Sequence, residues 1–309
     1  MSSKQTWCFK PWFLFLIFFV ILFAAYKGIN LAKKKVKRAR GFTIEKITLR
    51  GTLPLPKVNG SKRLDEALKI LNQPFFYMNK GKQFFVFKSA DGRYVIKFLQ
   101  QQRFDVKECL DFLPEKASSI FRHFRRQAKE KRYERMMKSI DLAFDVVPEE
   151  TGLVYAHMAP NGKLNKKLTM LDNRGNCFFI SLDETQFILQ KRVELLKPGF
   201  VRLMFDGKDE EARARIKEVF RIVVKLAKSS IHDEDGAIIR NDNIGFLDGR
   251  AIWLDVGKFV KTTGEQQATA FFDDLRHLRP LRKWLKTNYP TLVSYYDECH
   301  KTACEEFAS

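Results

Sequence analysis

Residues 231–260 read IHDEDGAIIRNDNIGFLDGRAIWLDVGKFV. Asp248-Gly249 is a turn dipeptide, since aspartate tolerates φ > 0 and glycine adopts it at no steric cost. Short apolar runs, Ile244–Phe246 and Ala251–Leu254, flank it. A tight hairpin is expected, with Asn243 leading into its first strand and Asp255-Val256-Gly257 following its second. Just upstream, His232-Asp233-Glu234-Asp235 carries three carboxylates in four residues.

Ahead of this stretch, Asp209–Ser229 places Ala212, Ile216, Val219, Phe220, Val223, Val224 and Ala227 at helical spacing. Glu184–Leu196 also reads as helix, and Lys167–Leu171 and Cys177–Leu182 read as a hairpin about Asp172–Asn176. Asp141–Val147 and Leu153–Met158, on either side of Pro148-Glu149-Glu150-Thr151-Gly152, read as another hairpin. A long helix is expected from about Pro114 to Ser139. It carries nine basic residues after Glu115 against the acids Glu130 and Glu134, either as a solvated face or as a surface for anionic lipid or an acidic partner. Alternation in Phe85-Phe87 and Tyr94-Ile96-Phe98 about Asp91-Gly92, with a further turn at Asn79-Lys80-Gly81-Lys82, predicts three antiparallel strands. Residues 41–74 read as a connecting strand, a Pro/Gly-rich loop and a short helix; Phe271–Ser309 reads as helical.

The order of these pieces resembles the protein-kinase family. Asn243, the hairpin and Asp255-Val256-Gly257 are similar to the metal-binding half of that fold, in which an asparagine leads into one strand and Asp-x-Gly ends the next. Tyr94-Val95-Ile96-Lys97 resembles the V-A-I-K strand. The resemblance spans about Phe75 to Phe259, some three-fifths of the chain. It implies an α+β, two-lobed protein-kinase-like fold: a small antiparallel sheet plus a helix, then a mostly helical lobe. It implies ATP and Mg2+ as cofactors, with Lys97 on the phosphates, Gly81 in the phosphate loop, and Glu130 or Glu134 pairing with the lysine. Asn243 and Asp255 become the metal ligands, hard oxygen donors suited to magnesium. The resemblance also puts the hinge at Met158-Ala159-Pro160. Two features depart from the pattern. The phosphate loop has one glycine, and position 238, where the catalytic aspartate should stand five residues before Asn243, is isoleucine. Asp235 and Asp233, eight and ten residues ahead of Asn243, are the candidates for the catalytic base.

The N-terminus has its own chemistry. Pro11–Tyr26 (PWFLFLIFFVILFAAY) carries no charge, and Gly28, Ile29, Leu31 and Ala32 extend the run. Sixteen helical residues rise about 24 Å, slightly short of a ~30 Å hydrocarbon core, and Trp7, Trp12 and Tyr26 sit at interfacial positions. Phe23–Lys27 offers no small-x-small cleavage pair, so an anchor is favoured over a cleaved signal. Eleven basic residues against Glu45 lie in residues 1–50, half of the net +20. The cluster at Lys33–Arg40 outweighs Lys4 and Lys10, which places the C-terminal domain in the cytoplasm and makes the cluster a partner for anionic lipid. Beside such a span, nucleic acid is not the expected partner of this run. The five scattered cysteines show neither a disulfide framework nor zinc spacing and fit a reducing compartment. The expected organisation is a tail (1–10), a transmembrane helix (11–32), a basic juxtamembrane segment (33–50), an N-lobe (51–160) and a C-lobe (161–309).

Three functions fit this reading. The first is a membrane-tethered, ATP- and magnesium-dependent phosphotransferase acting on a hydroxyl acceptor at the cytoplasmic membrane face. The second is a pseudokinase that keeps the fold without the chemistry. The third is a basic membrane-surface scaffold with no nucleotide site.

Overall fold

Alternating apolar residues in Phe75–Lys80 (β1), Phe84–Ser89 (β2) and Tyr94–Leu99 (β3) form the expected antiparallel set, in which Ile96 of β3 opposes Phe87 of β2. The computed structural model describes residues 27, 42–49, 63–104, 115–159, 164–236, 238–239 and 243–309. Residues 44–309 form one compact unit. Apart from Lys27, the expected membrane span at 11–32 and the whole basic cluster Lys33–Arg40 lie outside the described residues. Among the described residues no helix is long and apolar enough to cross a membrane.

The first three strands belong to a seven-stranded sheet. Its other members are Leu153–His157 (β4), Lys167–Leu171 (β5), Cys177–Ser181 (β6) and Phe187–Lys191 (β7), in the order β4-β7-β3-β2-β1-β5-β6. All neighbours are antiparallel except β1 and β5. Phe87, Phe98 and Phe187 make a row of edge and tilted ring contacts across β2, β3 and β7, with centroids 5.9 and 5.8 Å apart. Strand alternation turns Lys97 to the face opposite Phe98.

The structure departs from several of these expectations. The helix Glu115–Val146 (α1) continues past Ser139, because Ile140, Ala143 and Phe144 extend the buried stripe begun by Tyr133, Met136 and Met137. The expected strand at Asp141–Val147 is therefore helix, and a single turn, Pro148–Thr151 (α2), follows before Gly152 turns the chain at φ 63°. The expected helix at Glu184–Leu196 is instead β7. A strand covered on both faces reads as a continuous run without alternation, which the sequence pattern mistakes for helix. β5, β6 and β7, which lie beyond residue 160, belong to the same sheet as β1 to β4. The chain leaves the sheet after Lys191; of the expected hinge Met158-Ala159-Pro160, Pro160 lies outside the described residues.

Beyond the sheet, Glu194–Leu195 (β8) pairs with the expected hairpin, Ile244–Leu247 (β9) and Arg250–Trp253 (β10). Gly245 is required at that crossing, since a Cβ there would stand 2.7 Å from the Glu194 carbonyl and 2.3 Å from Val193 Cγ2. Leu196–Phe205 (α3) and Asp209–Lys228 (α4) follow β8, and α4 buries the predicted stripe Ala212, Ile216, Val219, Phe220, Val223, Val224 and Ala227. A small ladder of Ile231–Asp233 with Phe259–Lys261 frames the loop that carries Asp235. The helices Gly264–Arg276, Arg279–Asn288 and Val293–Ala308 close the core, as expected of the tail. A single buried cluster joins Leu99 of β3 and Tyr133 of α1 to Phe246, Trp253 and Tyr296.

Candidate functional site

Lys97, in the middle of β3, donates from Nζ to the carbonyl of Leu254, 2.8 Å away and 157 residues later. The next residue is Asp255. Burial pushes the Lys97 ammonium down to about 8, while the Asp255 carboxylate pulls it back up. Asp255 is itself exposed, and its Oδ1 accepts the Gly257 N–H at 3.2 Å, which orients the carboxylate within its own turn. Asn243 is tied to the same spot by the strand ladder: its carbonyl accepts Leu254 N at 2.7 Å and its N–H donates to Ile238 O at 3.0 Å. The Asn243 side chain is buried, and its Nδ2 has no hydrogen-bond partner among the described residues. Three residues singled out by sequence, Lys97, Asn243 and Asp255, are thus brought together.

Glu130 and Glu134 are not part of this group. Glu130 pairs with Arg126 at 3.0 Å along α1, Glu134 is exposed, and the carboxylate acting on Lys97 is that of Asp255. What α1 presents to the Asp-x-Gly segment is Ser139, which follows both glutamates and is buried. Its buried hydroxyl donates to the Val256 carbonyl and accepts the Phe259 N–H at 2.5 Å. Sequence reasoning missed this residue; the available signal was one small polar side chain on the apolar stripe of Tyr133, Met136, Met137 and Ile140.

Gly81 also departs from its expected role. Its N–H is committed to Phe84 O at 2.9 Å, and its carbonyl accepts the side chain of buried Gln100 at 2.9 Å. The turn between β1 and β2 is therefore pinned rather than an open cradle of N–H groups. Next to it, Gln83 reaches the Asp-x-Gly turn, where a Cβ on Gly257 would stand 2.9 Å from Gln83 Oε1.

Asp233 and Asp235 occupy different environments. Asp233, 1% exposed, ends a strand opposite Phe259, and its Oδ1 accepts the Asp235 N–H at 3.0 Å. Burial pushes its carboxyl up to about 7, reinforced by the carboxylates of Asp274, Asp255 and Asp235 and opposed by the Asp235 N–H. Oδ2 of Asp233 is buried without a partner among the described residues. His232 Nδ1 lies 3.1 Å from buried Asp274 Oδ1, and that carboxylate raises the imidazole above its usual range. Asp235 is half-buried and paired with the Lys258 ammonium. Gly236 follows at φ 58°, with His277 so close that a Cβ would meet its ring at 2.8 Å.

The antiparallel set β1-β2-β3, the helix between β3 and β4, the half-buried lysine on β3 and the Asn-hairpin-Asp-x-Gly unit facing it agree with the layout implied by sequence, whereas the insertion of β7 between β3 and β4 does not, since that segment reads as helix. The layout is protein-kinase-like. No protein-family model and no curated protein matches the chain. Among solved structures it is similar to WaaP in complex with acyl carrier protein, at 14% identity and TM-score 0.31, covering 82% of this chain and 99% of that one. It is similar to the bifunctional kinase-methyltransferase WbdD at 13% identity and TM-score 0.32, covering 84% of this chain and 49% of that one, so it spans about half of that protein. A third is the Legionella pneumophila Lpg2603 kinase bound to IP6, at 13% identity and TM-score 0.30, covering 74% and 78%.

Proposed function

We propose that the chain is a membrane-tethered kinase-like phosphotransferase that uses ATP and magnesium and delivers phosphate to a hydroxyl acceptor at the cytoplasmic membrane face. The observation that carries this is the half-buried Lys97 ammonium held at Leu254 beside the Asp255 carboxylate. A cation kept in a desolvated place beside a single carboxylate suits a phosphate-bearing ligand, whose charge would offset the burial that now depresses its pKa.

The residues fit a magnesium ion. Among the described residues no group of three or more His, Cys, Asp and Glu is arranged to hold a metal. Magnesium needs no such group, since it is held by one or two carboxylates and completes its shell with water and phosphate oxygens. Asp255 and the unsatisfied Asn243 amide supply hard donors of that kind; which amide atom faces the site is a matter of assignment. A bound magnesium would neutralise charge on the phosphate oxygens during transfer. Lys97 binds and orients phosphate from the sheet side. Asp235, within reach of solvent, accepts the proton of the acceptor hydroxyl and orients its oxygen, while Asp233, buried behind it, positions the Asp235 backbone. The segment at 11–32 serves as the anchor and Lys33–Arg40 as the lipid-binding collar.

A second reading, nucleotide binding without transfer, is favoured by two observations: Ile238 is fully buried where a catalytic aspartate would stand, and the Gly81 turn is pinned. Phosphate transfer from ATP into membrane extract, measured for wild type and Asp235→Asn, separates the two. Transfer lost in the variant with nucleotide binding kept supports the first reading. Transfer at the wild-type rate in Asp235→Asn contradicts the assigned base, and binding without transfer in the wild type selects the second reading.

A further inference from the structure

A cavity of about 710 Å3 opens beside the site, lined by Arg132, Arg135, Lys138 and Leu142 of α1, by Gln83, and by Glu234 and the segment Gly257–Lys261. Arg132, Arg135, Lys138 and Leu142 follow one another at three- and four-residue steps, which lays them along one face of the helix. Lys258 and Lys261 approach from the opposite wall. Against these five cations the described lining has one acid, Glu234, and Asp235 next to it is already paired with Lys258. Arg132, Arg135, Lys138 and Lys261 form no ion pair with a described residue; the ion pairs of α1 are elsewhere, as with Arg126 and Glu130. The positive field continues outward. Burial lowers the Arg103 guanidinium, and Arg132 lowers it further; burial lowers Lys80, with Lys46 and Arg103 adding to it. Like charges gathered around a hollow repel one another until an anion separates them.

We propose that this cavity recognises a phosphorylated polyol, a sugar or inositol ring bearing two or more phosphate groups, and holds it with a hydroxyl toward Asp235. The volume accommodates one such ring with its phosphates. The forked guanidinium groups of Arg132 and Arg135 suit bidentate phosphate contacts, and Lys138, Lys258 and Lys261 act as point charges around them. Lys258 links the cavity to the chemistry, because the ammonium that lines it is the partner of the Asp235 carboxylate. A phosphate arriving at Lys258 would compete for that ammonium and release Asp235 for the acceptor hydroxyl. This assignment of the acceptor rests on the phosphotransfer reading; the binding site itself does not.

The test is calorimetric titration of the full chain with inositol 1,4,5-trisphosphate in the absence of nucleotide. The variants are Arg135→Ala/Lys138→Ala and, as an equal-charge control on the same helix, Arg125→Ala/Lys131→Ala. Arg125 and Lys131 are exposed and outside the cavity. The expected result is saturable binding, weakened about tenfold or more by the cavity pair and less than about twofold by the control. No binding by the wild type at millimolar probe, or equal losses in the two variants, would overturn the site. Vesicles of phosphatidylcholine with phosphatidylinositol 4,5-bisphosphate, compared with phosphatidylserine vesicles of matched charge, distinguish sources. Preference for the former that falls in the cavity variant assigns a lipid-borne head group, and soluble binding with no such preference assigns a free one. Binding to both vesicle types alike, with none of the soluble probe, gives the surface to membrane charge and contradicts the proposal. Lys97→Ala keeps polyol phosphate binding under this proposal while losing nucleotide, so failure of one reading is seen apart from failure of the other.

Discussion

Lys97, Asn243 and Asp255 reach the site from the ends and middles of paired strands, whereas Asp233 and Asp235 reach it from the end of a three-residue strand and the turn after it. On the first side, backbone ladders set every position: Leu254 N to Asn243 O at 2.7 Å, and Ile244 opposite Trp253. On the second, positions are set by side chains under electrostatic stress, with Asp233, Asp274 and Asp235 crowded against one another. Under the proposed function the strand side would hold phosphate and metal, and the loop side would be the charge balance that a substrate tips.

Damage to the strand side should be largest. Gly245→Ala drives a Cβ against the Glu194 carbonyl and Val193, and should destabilise the fold by roughly 3 kcal/mol, read as a lower midpoint in urea unfolding. A smaller effect is expected where α1 meets the Asp-x-Gly segment. Ser139→Ala strands the buried Phe259 N–H and Val256 carbonyl and should cost about 1–3 kcal/mol. Its nucleotide affinity should fall further than that of a variant equally destabilised elsewhere, since the segment carrying Asp255 loses its clamp.

The loop side should behave in the opposite sense. The folded pKa of Asp233 is raised, to about 7, so the folded state prefers the neutral acid and the unfolded state ionises near the usual carboxylate range. Stability from this residue is therefore intact below pH 4 and is lost as pH rises toward 7. Asp233→Asn, which keeps an oxygen for the Asp235 N–H, should match the wild type at pH 4 and exceed it by about 1 kcal/mol or more at pH 7.5. Equal stability at both pH values would remove the contrast between the two halves. Lys97 supplies the mildest probe. Its folded pKa of about 8 is lowered, so nucleotide affinity in the free protein should fall by up to about tenfold per pH unit above 8. Phosphate binding itself opposes the loss by favouring the ammonium.

Much of the strand side was legible because its signals are local. Asp248-Gly249 marks a hairpin whatever surrounds it, and the period of Tyr94, Ile96 and Phe98 fixes which face Lys97 takes. The misreadings share a cause in tertiary burial. Phe187–Lys191 is covered on both faces and so shows no alternation, and Ile140–Phe144 continues a helix whose partner surface no local pattern reveals. Ser139 escaped because a serine among apolar residues is informative only once the Val256 carbonyl is known to sit against it. The exclusion of Glu130 and Glu134 follows from the same helix phase: Ser139 is on the inner face, and Glu134 points outward.

The central claim is that Lys97 and Asp255 form a nucleotide site, and the most direct measurement is the thermal unfolding midpoint of the full chain with and without ATP and magnesium, for wild type, Lys97→Ala and Asp255→Ala. A ligand at a hundred times its Kd adds about 2.7 kcal/mol, enough for a shift of several degrees in the wild type. The account predicts that shift in the wild type, its loss in Lys97→Ala, and its loss of magnesium dependence in Asp255→Ala. An unshifted wild type, or a shift unchanged in both variants, would contradict it.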